Sequence, residues 1–162
     1  MSIYIFSRPI RTSKTTELLG WCGRQKNTAG ILMPDIDGCR KIFNINTREV
    51  FDAECINPAS TTEPLTTVGR FHFFTAAFEK ANTILSDALS QNPNWLIIDE
   101  AGKLELKGEG FYKAVANAVN LYNGKLKPGN LLITVRDSLC DEMISFFNIE
   151  NATVIDRLNK IT

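Results

Sequence analysis

The sequence contains little of what metal centres, secreted domains and membrane proteins require. It has no Cys-x-x-Cys pair among four cysteines and a single histidine, His72, so a zinc site of the Cys/His type lacks ligands at usable spacing. No apolar run approaches the roughly 18 residues of a membrane span, and the run at residues 3–6 is shorter than the roughly 7–15 residues in the core of a signal peptide. We therefore expect a cytoplasmic protein without membrane contact, whose reduced cysteines act as small buried hydrophobic residues.

The chain also lacks an excess of charge of either sign. Lys plus Arg and Asp plus Glu each number 18 among 162 residues, so the formal net charge is zero. Proteins held to nucleic acid or to anionic membranes by bulk charge carry a clear positive excess. With 44% hydrophobic residues, the composition is that of a folded protein, and the length suits one domain spanning residues 1–162.

The chain is organised as an alternation of short apolar runs and helical periodicities. Strands are predicted at residues 3–6, 28–33, 69–74, 95–98, 131–135 and 152–155, and helices at 15–22, 76–89, 111–121 and 138–147. Two alternating runs, 39–45 and 48–53, predict a β-hairpin, and residues 56–67 predict an exposed loop. This order indicates an α/β fold with a mostly parallel sheet, helices on both faces and an antiparallel hairpin insertion.

The segment after the first predicted strand has the frame of a phosphate-binding loop. Residues 8–15, the phosphate loop, follow the pattern Gly-x-x-x-x-Gly-Lys-Ser/Thr, except that Arg8 and Ser13 replace the two glycines. In this frame Lys14 contacts the β- and γ-phosphates, and the Thr15 hydroxyl binds Mg²⁺. The predicted nucleotide-binding residues are Arg8, Pro9, Ile10, Arg11, Thr12, Ser13, Lys14, Thr15 and Thr16. The alternative is that Ser13 only caps a helix and Lys14 is solvated.

An acidic pair follows the buried strand predicted at 95–98. In phosphate-ester hydrolysis Asp99 would hold Mg²⁺, directly or through water, and Glu100 would polarise the attacking water. The alternative is that two carboxylates simply reach solvent at the end of a strand. A lysine-threonine loop after one strand and an acidic pair after another form the arrangement that P-loop nucleotide hydrolases use.

Other residues at this edge of the sheet have weaker signals. Arg136, after the strand at 131–135, either stabilises charge on the γ-phosphate or pairs with Asp137 or Asp141. Side chains better explained as solvated strand charges, sheet residues or core are Arg40, Arg48, His72, Phe71, Phe73 and Phe74. The loop at 56–67 is interpreted as an idle surface loop rather than as a lid.

Residues 99–106, Asp-Glu-Ala-Gly-Lys-Leu-Glu-Leu, resemble the Asp-Glu-Ile-Gly-Lys-Met-Glu-Leu signature of the small P-loop nucleoside-triphosphatases of the cancer-related type. Residues 68–71 resemble the family segment that precedes the helix before this signature, and the hairpin lies where the family has a β insertion. The resemblance implies a P-loop core with an extra strand between the two nucleotide-binding strands. It also implies slow Mg²⁺-dependent hydrolysis of nucleoside triphosphates to the diphosphate and phosphate.

Carried over by position, the resemblance makes Lys14 the phosphate lysine, Thr15 the magnesium hydroxyl, Asp99 the metal partner and Glu100 the catalytic base. The family has glycine where this chain has Arg8 and Ser13, often with another in between. Arg8 is expected either to turn outward and add a phosphate contact or to occupy the nucleotide site. Two alternatives to hydrolysis follow: a nucleotide-binding regulatory domain without turnover, and a small-molecule kinase.

Overall fold

A central β-sheet with helices on both faces forms the fold in this computed structural model, which describes residues 2–161. The strands are β1 (Ile3–Arg8), β2 (Thr28–Leu32), β3 (Asp35–Ile36), β4 (Cys39–Asn44), β5 (Val50–Asp52), β6 (Leu65–Val68), β7 (Phe71–Phe74), β8 (Trp95–Ile98), β9 (Asn130–Arg136) and β10 (Thr153–Ile155). The helices are α1 (Lys14–Cys22), α2 (Thr75–Ser90), α3 (Tyr112–Asn123) and α4 (Cys140–Phe146). The α/β prediction is confirmed.

The sheet is parallel in its centre and antiparallel at one side. Its order is β10-β1-β9-β8-β2-β4-β3, with β5 paired to β4. The pairs from β10 to β2 are parallel, whereas β4 runs antiparallel to β2, β3 and β5. The predicted hairpin is therefore β4–β5, and β9 is the strand that separates β1 from β8.

The sheet is buried on both faces because its strands alternate side chains between two cores. In β8, Leu96 and Ile98 join the core under α2 and α3, while Trp95 and Ile97 join the core under α1. All four are buried, as the continuous apolar run predicts. Full burial of each aliphatic side chain stabilises the fold by about 1.5–3 kcal/mol.

Gly30 allows β2 to pair closely with β8. Its φ is +121°, and a Cβ at this position would lie 2.1 Å from the carbonyl oxygen of Ile97. A larger residue would push β2 and β8 apart. This glycine is therefore required for their close pairing just before the acidic pair that follows β8.

The segment predicted as a loop at 56–67 is partly structured. It contains a 3-10 turn at Pro58–Ser60, and β6 begins at Leu65 and pairs antiparallel with β7 outside the main sheet. The helix α2 begins at Thr75, whose hydroxyl lies 2.9 Å from that of Thr66 rather than capping the helix. The loop prediction rested on two prolines and five hydroxyl side chains in this segment, although threonine itself is common in strands.

Two further observations concern expectations from composition. The four cysteines, Cys22, Cys39, Cys55 and Cys140, are free and buried, as predicted for small hydrophobic residues. Between residues 2 and 161, no helix is both long enough and apolar enough to span a bilayer.

Candidate active site

The ends of β1 and β8 bring the phosphate loop and the acidic pair to the same edge of the sheet. The phosphate loop leaves β1 and enters α1 at Lys14, and the acidic pair follows Ile98 of β8. Parallel strands direct their carboxyl ends to one edge, so ligands of such sheets bind there. The strand β9 lies between β1 and β8 and ends in Arg136.

Lys14 is buried at the start of α1, with 8% of its surface exposed. Its Nζ donates to the carbonyl oxygens of Arg8, at 3.3 Å, and of Pro9, at 3.1 Å. Burial lowers the pKa of Lys14, and the carboxylates of Glu100 and Asp99 oppose that shift. The alternative of a solvated Lys14 is therefore wrong, and its ammonium group points into the loop that the phosphate frame requires.

The phosphate loop keeps backbone conformations that glycine usually supplies. Arg11 has φ 58° and Ser13 has φ 59°, both in the left-handed region. A Cβ in that region costs about 1–2 kcal/mol, so the loop retains this shape at an energetic cost. Ser13 occupies the residue before α1 without a side-chain capping hydrogen bond. The alternative in which Ser13 serves to cap the helix is wrong.

Arg8 stands at the first glycine position, and its side chain turns away from the interior of the loop. Its Nη1 lies 2.7 Å from Oε2 of Glu17 on α1, and its Nη2 donates to the carbonyl oxygen of Thr12 at 2.9 Å. The guanidinium also lies 4.8 Å from the centre of the Phe6 ring. These contacts brace the loop against α1, so Arg8 does not occupy the site and its guanidinium is committed to protein groups.

Asp99 is fully buried and receives hydrogen bonds from three elements. Its Oδ2 accepts from the Thr15 hydroxyl at 2.7 Å and from the backbone N–H of Met33 at 3.0 Å. Its Oδ1 accepts from the hydroxyl of Thr134 on β9. Three donors satisfy the lone pairs of this buried carboxylate and fix its orientation. The alternative of two solvent-directed carboxylates is therefore wrong for Asp99, whereas Glu100 is exposed.

Glu100 is held apart from Asp99 by the backbone. Its φ is 64°, and its N–H donates to the Thr134 hydroxyl at 2.8 Å. Its Oε1 lies 3.3 Å from Nη1 of Arg40 on β4. Partial desolvation by the surrounding protein and the nearby charge of Asp99 raise the pKa of Glu100, and Arg40 and Lys14 oppose that rise. A carboxylate with a raised pKa is a better proton acceptor for catalysis than an ordinary one. Asp99, Glu100 and Thr134 are called the acidic edge below.

Two residues of this site were missed by reasoning from the sequence alone. Thr134 is buried and bridges Asp99 to Glu100 through its hydroxyl. The one hydroxyl residue in the otherwise apolar run at 131–135 could have marked it as a site residue. Arg40 was interpreted as a solvated strand charge, yet it pairs with Glu100 and donates to the Met33 carbonyl at 3.4 Å. No local pattern marks Arg40, because its position depends on how β4 pairs with β2.

Glu105 supports the segment that follows the acidic pair. It is buried, and its Oε2 accepts from the N–H of Gly102 at 2.6 Å while its Oε1 accepts from the N–H of Phe111 at 2.8 Å. Burial raises the pKa of Glu105 to about 7, against the effect of these two donors. The carboxylate thus ties both ends of residues 102–111 together.

Arg136 lies beside the phosphate loop, opposite Arg8 in the register of β1 and β9. Within residues 2–161 the ion pairs include none from Arg136 to Asp137 or Asp141. Its charge contributes to the lowered pKa of Lys14. Arg136 therefore remains available to an anion at this edge. Arg48, in contrast, is exposed.

A cavity of about 160 Å³ joins these groups. Lys14, Glu100 and Arg136 line one part of it, and Phe71 and Phe73 line another. Phe73 is buried as predicted for core, whereas Phe71 is half-buried. The site therefore has a charged part beside an apolar part.

Thr15 and Asp99, where the phosphate loop meets the acidic edge, fit a magnesium ion. Mg²⁺ takes oxygen ligands and usually keeps water and substrate phosphates among them, so few protein groups are needed. The Thr15 hydroxyl donates a hydrogen bond to Asp99, which leaves the lone pairs of the hydroxyl oxygen for a cation. Within residues 2–161, no group of three His, Cys, Asp or Glu side chains is placed to hold a metal alone.

Comparisons with known proteins agree with this architecture. A family model described as NTPase matches residues 14–154. The crystal structure of THEP1 from the hyperthermophile Aquifex aeolicus superposes with a TM-score of 0.71 at 22% identity, covering 99% of this chain and 92% of that one. The solution structure of a human cancer-related nucleoside triphosphatase superposes with a TM-score of 0.62 at 19% identity, covering 98% and 89%.

These matches differ in what they establish. At such identities the two structures support the fold alone, and no curated protein sequence matched the chain. The family model begins at Lys14, so it includes the acidic pair and leaves out the altered residues 8–13. Because this model spans most of the sequence, the chain belongs to the NTPase family.

Proposed function

We propose that the chain binds a nucleoside triphosphate, ATP or GTP among others, at residues 8–16 and hydrolyses it to the diphosphate and phosphate with Mg²⁺. The observation that carries this proposal is the 2.7 Å hydrogen bond between Thr15 and Asp99, which joins the phosphate loop to the acidic edge. A loop that binds phosphates and a carboxylate that orients a cation must meet in this way for phosphoryl transfer.

Each charged group has a distinct role in this reaction. Lys14 exchanges its carbonyl partners for the β- and γ-phosphate oxygens, and Arg136 stabilises negative charge that develops on the γ-phosphate. Glu100 accepts a proton from the attacking water, whose oxygen bonds to the γ-phosphorus as the bond to the leaving diphosphate breaks. Arg40 holds the carboxylate of Glu100 in position.

Thr15 and Asp99 would hold the magnesium ion, Thr15 through its hydroxyl oxygen and Asp99 through bound water. Both Asp99 oxygens already accept hydrogen bonds, which favours a water-mediated contact over a direct one. When bound, the ion would supply positive charge that offsets the charge of the nucleotide phosphates. Fixing the Asp99 carboxylate by three donors reduces the reorganisation needed when nucleotide binds.

The geometry favours hydrolysis over a regulatory domain that binds nucleotide without turnover. Arg11 and Ser13 retain the left-handed conformations of a phosphate-binding loop, and Arg8 is drawn aside by Glu17. The catalytic candidates Glu100 and Arg136 both line the cavity that Lys14 also lines. Loss of the glycines thus leaves the reacting groups together.

The test is phosphate release from saturating ATP or GTP with Mg²⁺. Glu100→Gln should lower turnover by about 10²–10⁴-fold and leave nucleotide binding within a few-fold of wild type, because the amide cannot accept the proton. Glu109→Gln, an exposed carboxylate on the same segment, is the matched control and should retain full turnover. Wild type that releases no more phosphate than Glu100→Gln would contradict hydrolysis, and nucleotide binding in both would then support the regulatory alternative.

A further inference from the structure

The apolar part of the cavity is called the aromatic wall and is lined by Val68, Phe71, Phe73, Phe78 and Phe111. The aromatic wall lies beyond the acidic edge, away from the phosphate loop. The strand order places β1, β9 and β8 in succession, so Lys14, Arg136 and Glu100 follow one another along the edge. The hairpin β6–β7 is attached beyond them: the N–H of Cys55 donates to the His72 carbonyl at 2.7 Å, and the N–H of Phe74 donates to the Ala53 carbonyl at 2.8 Å. The aromatic wall therefore faces Glu100 from the side opposite the loop.

This wall is built from aromatic rings in mutual contact. The rings of Phe73 and Phe78 are 5.6 Å apart between centres, and those of Phe78 and Phe111 are 5.2 Å apart, both edge-to-face. Phe71 and Val68, on the two strands of the hairpin, complete the lining. Such a surface binds a ring or an alkyl group in preference to water.

A hydrolase needs space for one attacking water, about 30 Å³ in liquid volume, and that water needs 2–4 polar partners. The cavity of about 160 Å³ is larger than this and continues among the phenylalanines, which offer no such partners. This volume covers the charged and the apolar parts together, and the whole is about the size of an engineered apolar cavity, roughly 150 Å³, that binds one benzene ring. The apolar part therefore has room for no more than one ring.

The orientation of the nucleotide separates this ligand from the nucleoside. If the phosphates run from the loop toward Glu100, as the proposed function requires, the terminal phosphate is nearest the aromatic wall. The nucleoside then lies at the other end of the phosphate chain, on the β1 side. A ligand in the aromatic wall would lie on the same side of the γ-phosphate as Glu100.

Resting on that proposed function, we propose that the cavity also binds a small one-ring alcohol, and that Glu100 directs its hydroxyl to the γ-phosphate. The alcohol oxygen bonds to the γ-phosphorus, the bond to the bridging oxygen breaks, and the diphosphate leaves. The hydroxyl proton passes to the Glu100 carboxylate. The product is a phosphate monoester of the alcohol, so the chain acts as a phosphotransferase when the wall is filled and as a hydrolase when water reaches Glu100.

The test uses benzyl alcohol and 4-hydroxybenzyl alcohol as acceptors with ATP labelled at the γ-phosphate and Mg²⁺. Labelled phosphate monoester and labelled inorganic phosphate are separated by chromatography, and acceptor binding is followed by saturation-transfer NMR of the ring protons. Wild type should form the monoester and show ring contact. Val68→Phe adds bulk inside the wall and should reduce both signals by about tenfold or more.

Phe74→Leu is the matched control. Side chains alternate along a strand, so Phe74 faces away from Phe71 and Phe73, and it does not line this cavity. It should retain monoester formation, which separates filling of the cavity from damage to the hairpin. Phe71→Leu, which keeps apolar bulk but removes the ring, should weaken the ring signal in folded protein.

Every result bears on the proposal. Absence of monoester with both alcohols overturns the transfer, even where a ring signal is seen, and monoester formation that Val68→Phe leaves unchanged overturns the assignment to this wall. Phosphate release without any alcohol tests hydrolysis separately. Release without monoester would leave the proposed hydrolase standing alone, whereas monoester without release would support this transfer and contradict hydrolysis.

Discussion

The phosphate loop and the acidic edge meet at one edge of the sheet, but different interactions hold each of them in place. The loop has lost its glycines, its residues 9–13 are exposed, and Arg8 holds it through the ion pair with Glu17. The acidic edge keeps its motif, and Asp99 is buried with donors from Thr15, Met33 and Thr134. An exposed loop adopts strained backbone at about 1–2 kcal/mol per residue, whereas an unsatisfied buried carboxylate costs more. The loop therefore tolerates substitutions that the acidic edge does not.

The largest effect is expected at Lys14, the one buried residue of the phosphate loop. Lys14→Ala removes a buried cation from the phosphate site and should weaken ATP and GTP binding by about 2–5 kcal/mol. Calorimetric titration with Mg²⁺ measures the change. Lys26→Ala, an exposed lysine shortly after α1, should bind like wild type. Equal affinity of Lys14→Ala and wild type would place the nucleotide elsewhere.

The next effect concerns stability of the acidic edge. Thr134→Val keeps the side-chain shape but leaves Asp99 without one donor and the N–H of Glu100 without its acceptor. The free energy of unfolding should fall by about 2–4 kcal/mol, measured by urea denaturation. The control Thr153→Val, exposed on β10, should stay within about 0.5 kcal/mol of wild type. A fall equal to that control would show that the bridge carries no stability.

A pH effect is expected from Glu105, a buried residue that lines the cavity. Its pKa is about 7 in the folded protein against an ordinary 4.5, so the folded state binds more protons between these values. The free energy of unfolding should therefore fall as pH rises from about 4.5 to 7, by at most about 3 kcal/mol.

Glu105→Gln should remove this slope, although the variant is less stable at low pH because one oxygen acceptor is lost. Urea denaturation from pH 4.5 to 8 measures the slope, and Glu109→Gln, an exposed neighbour, should keep it. A slope in Glu105→Gln as steep as that of wild type would assign the pH dependence to other carboxylates.

The smallest effect is expected at the altered glycine position of the loop. Ser13→Gly removes left-handed strain of about 1–2 kcal/mol and adds about 0.5–1 kcal/mol of unfolded-state entropy cost. The net gain should lie between zero and about 1.5 kcal/mol, a rise in melting temperature of at most about 6 °C. Ser13→Ala keeps the Cβ and should show no gain, because the Ser13 side chain makes no capping hydrogen bond. Equal melting temperatures of all three proteins would mean that the loop carries no strain at Ser13.

Much of the fold followed from local patterns. The apolar run at 95–98 and the helical periodicity at 76–89 each reflect which residues of one element are buried. Such patterns can therefore be recognised in the sequence alone. The strand β6 was missed because two prolines and five hydroxyl side chains at 56–67 indicated a loop. The candidate nucleotide-binding and catalytic residues stay predictions until the experiments above are done.

The order of polar segments and buried strands along the chain indicates which strands end in candidate site residues, since a polar segment directly after a buried strand must emerge at the edge of the sheet. What those residues contact depends on how distant elements pack together. The Arg40–Glu100 pair spans β4 and the end of β8, and the turning aside of Arg8 depends on Glu17 and α1. The partners and the burial of a charged side chain depend on packing between elements that are distant in the chain. A local sequence pattern does not specify that packing.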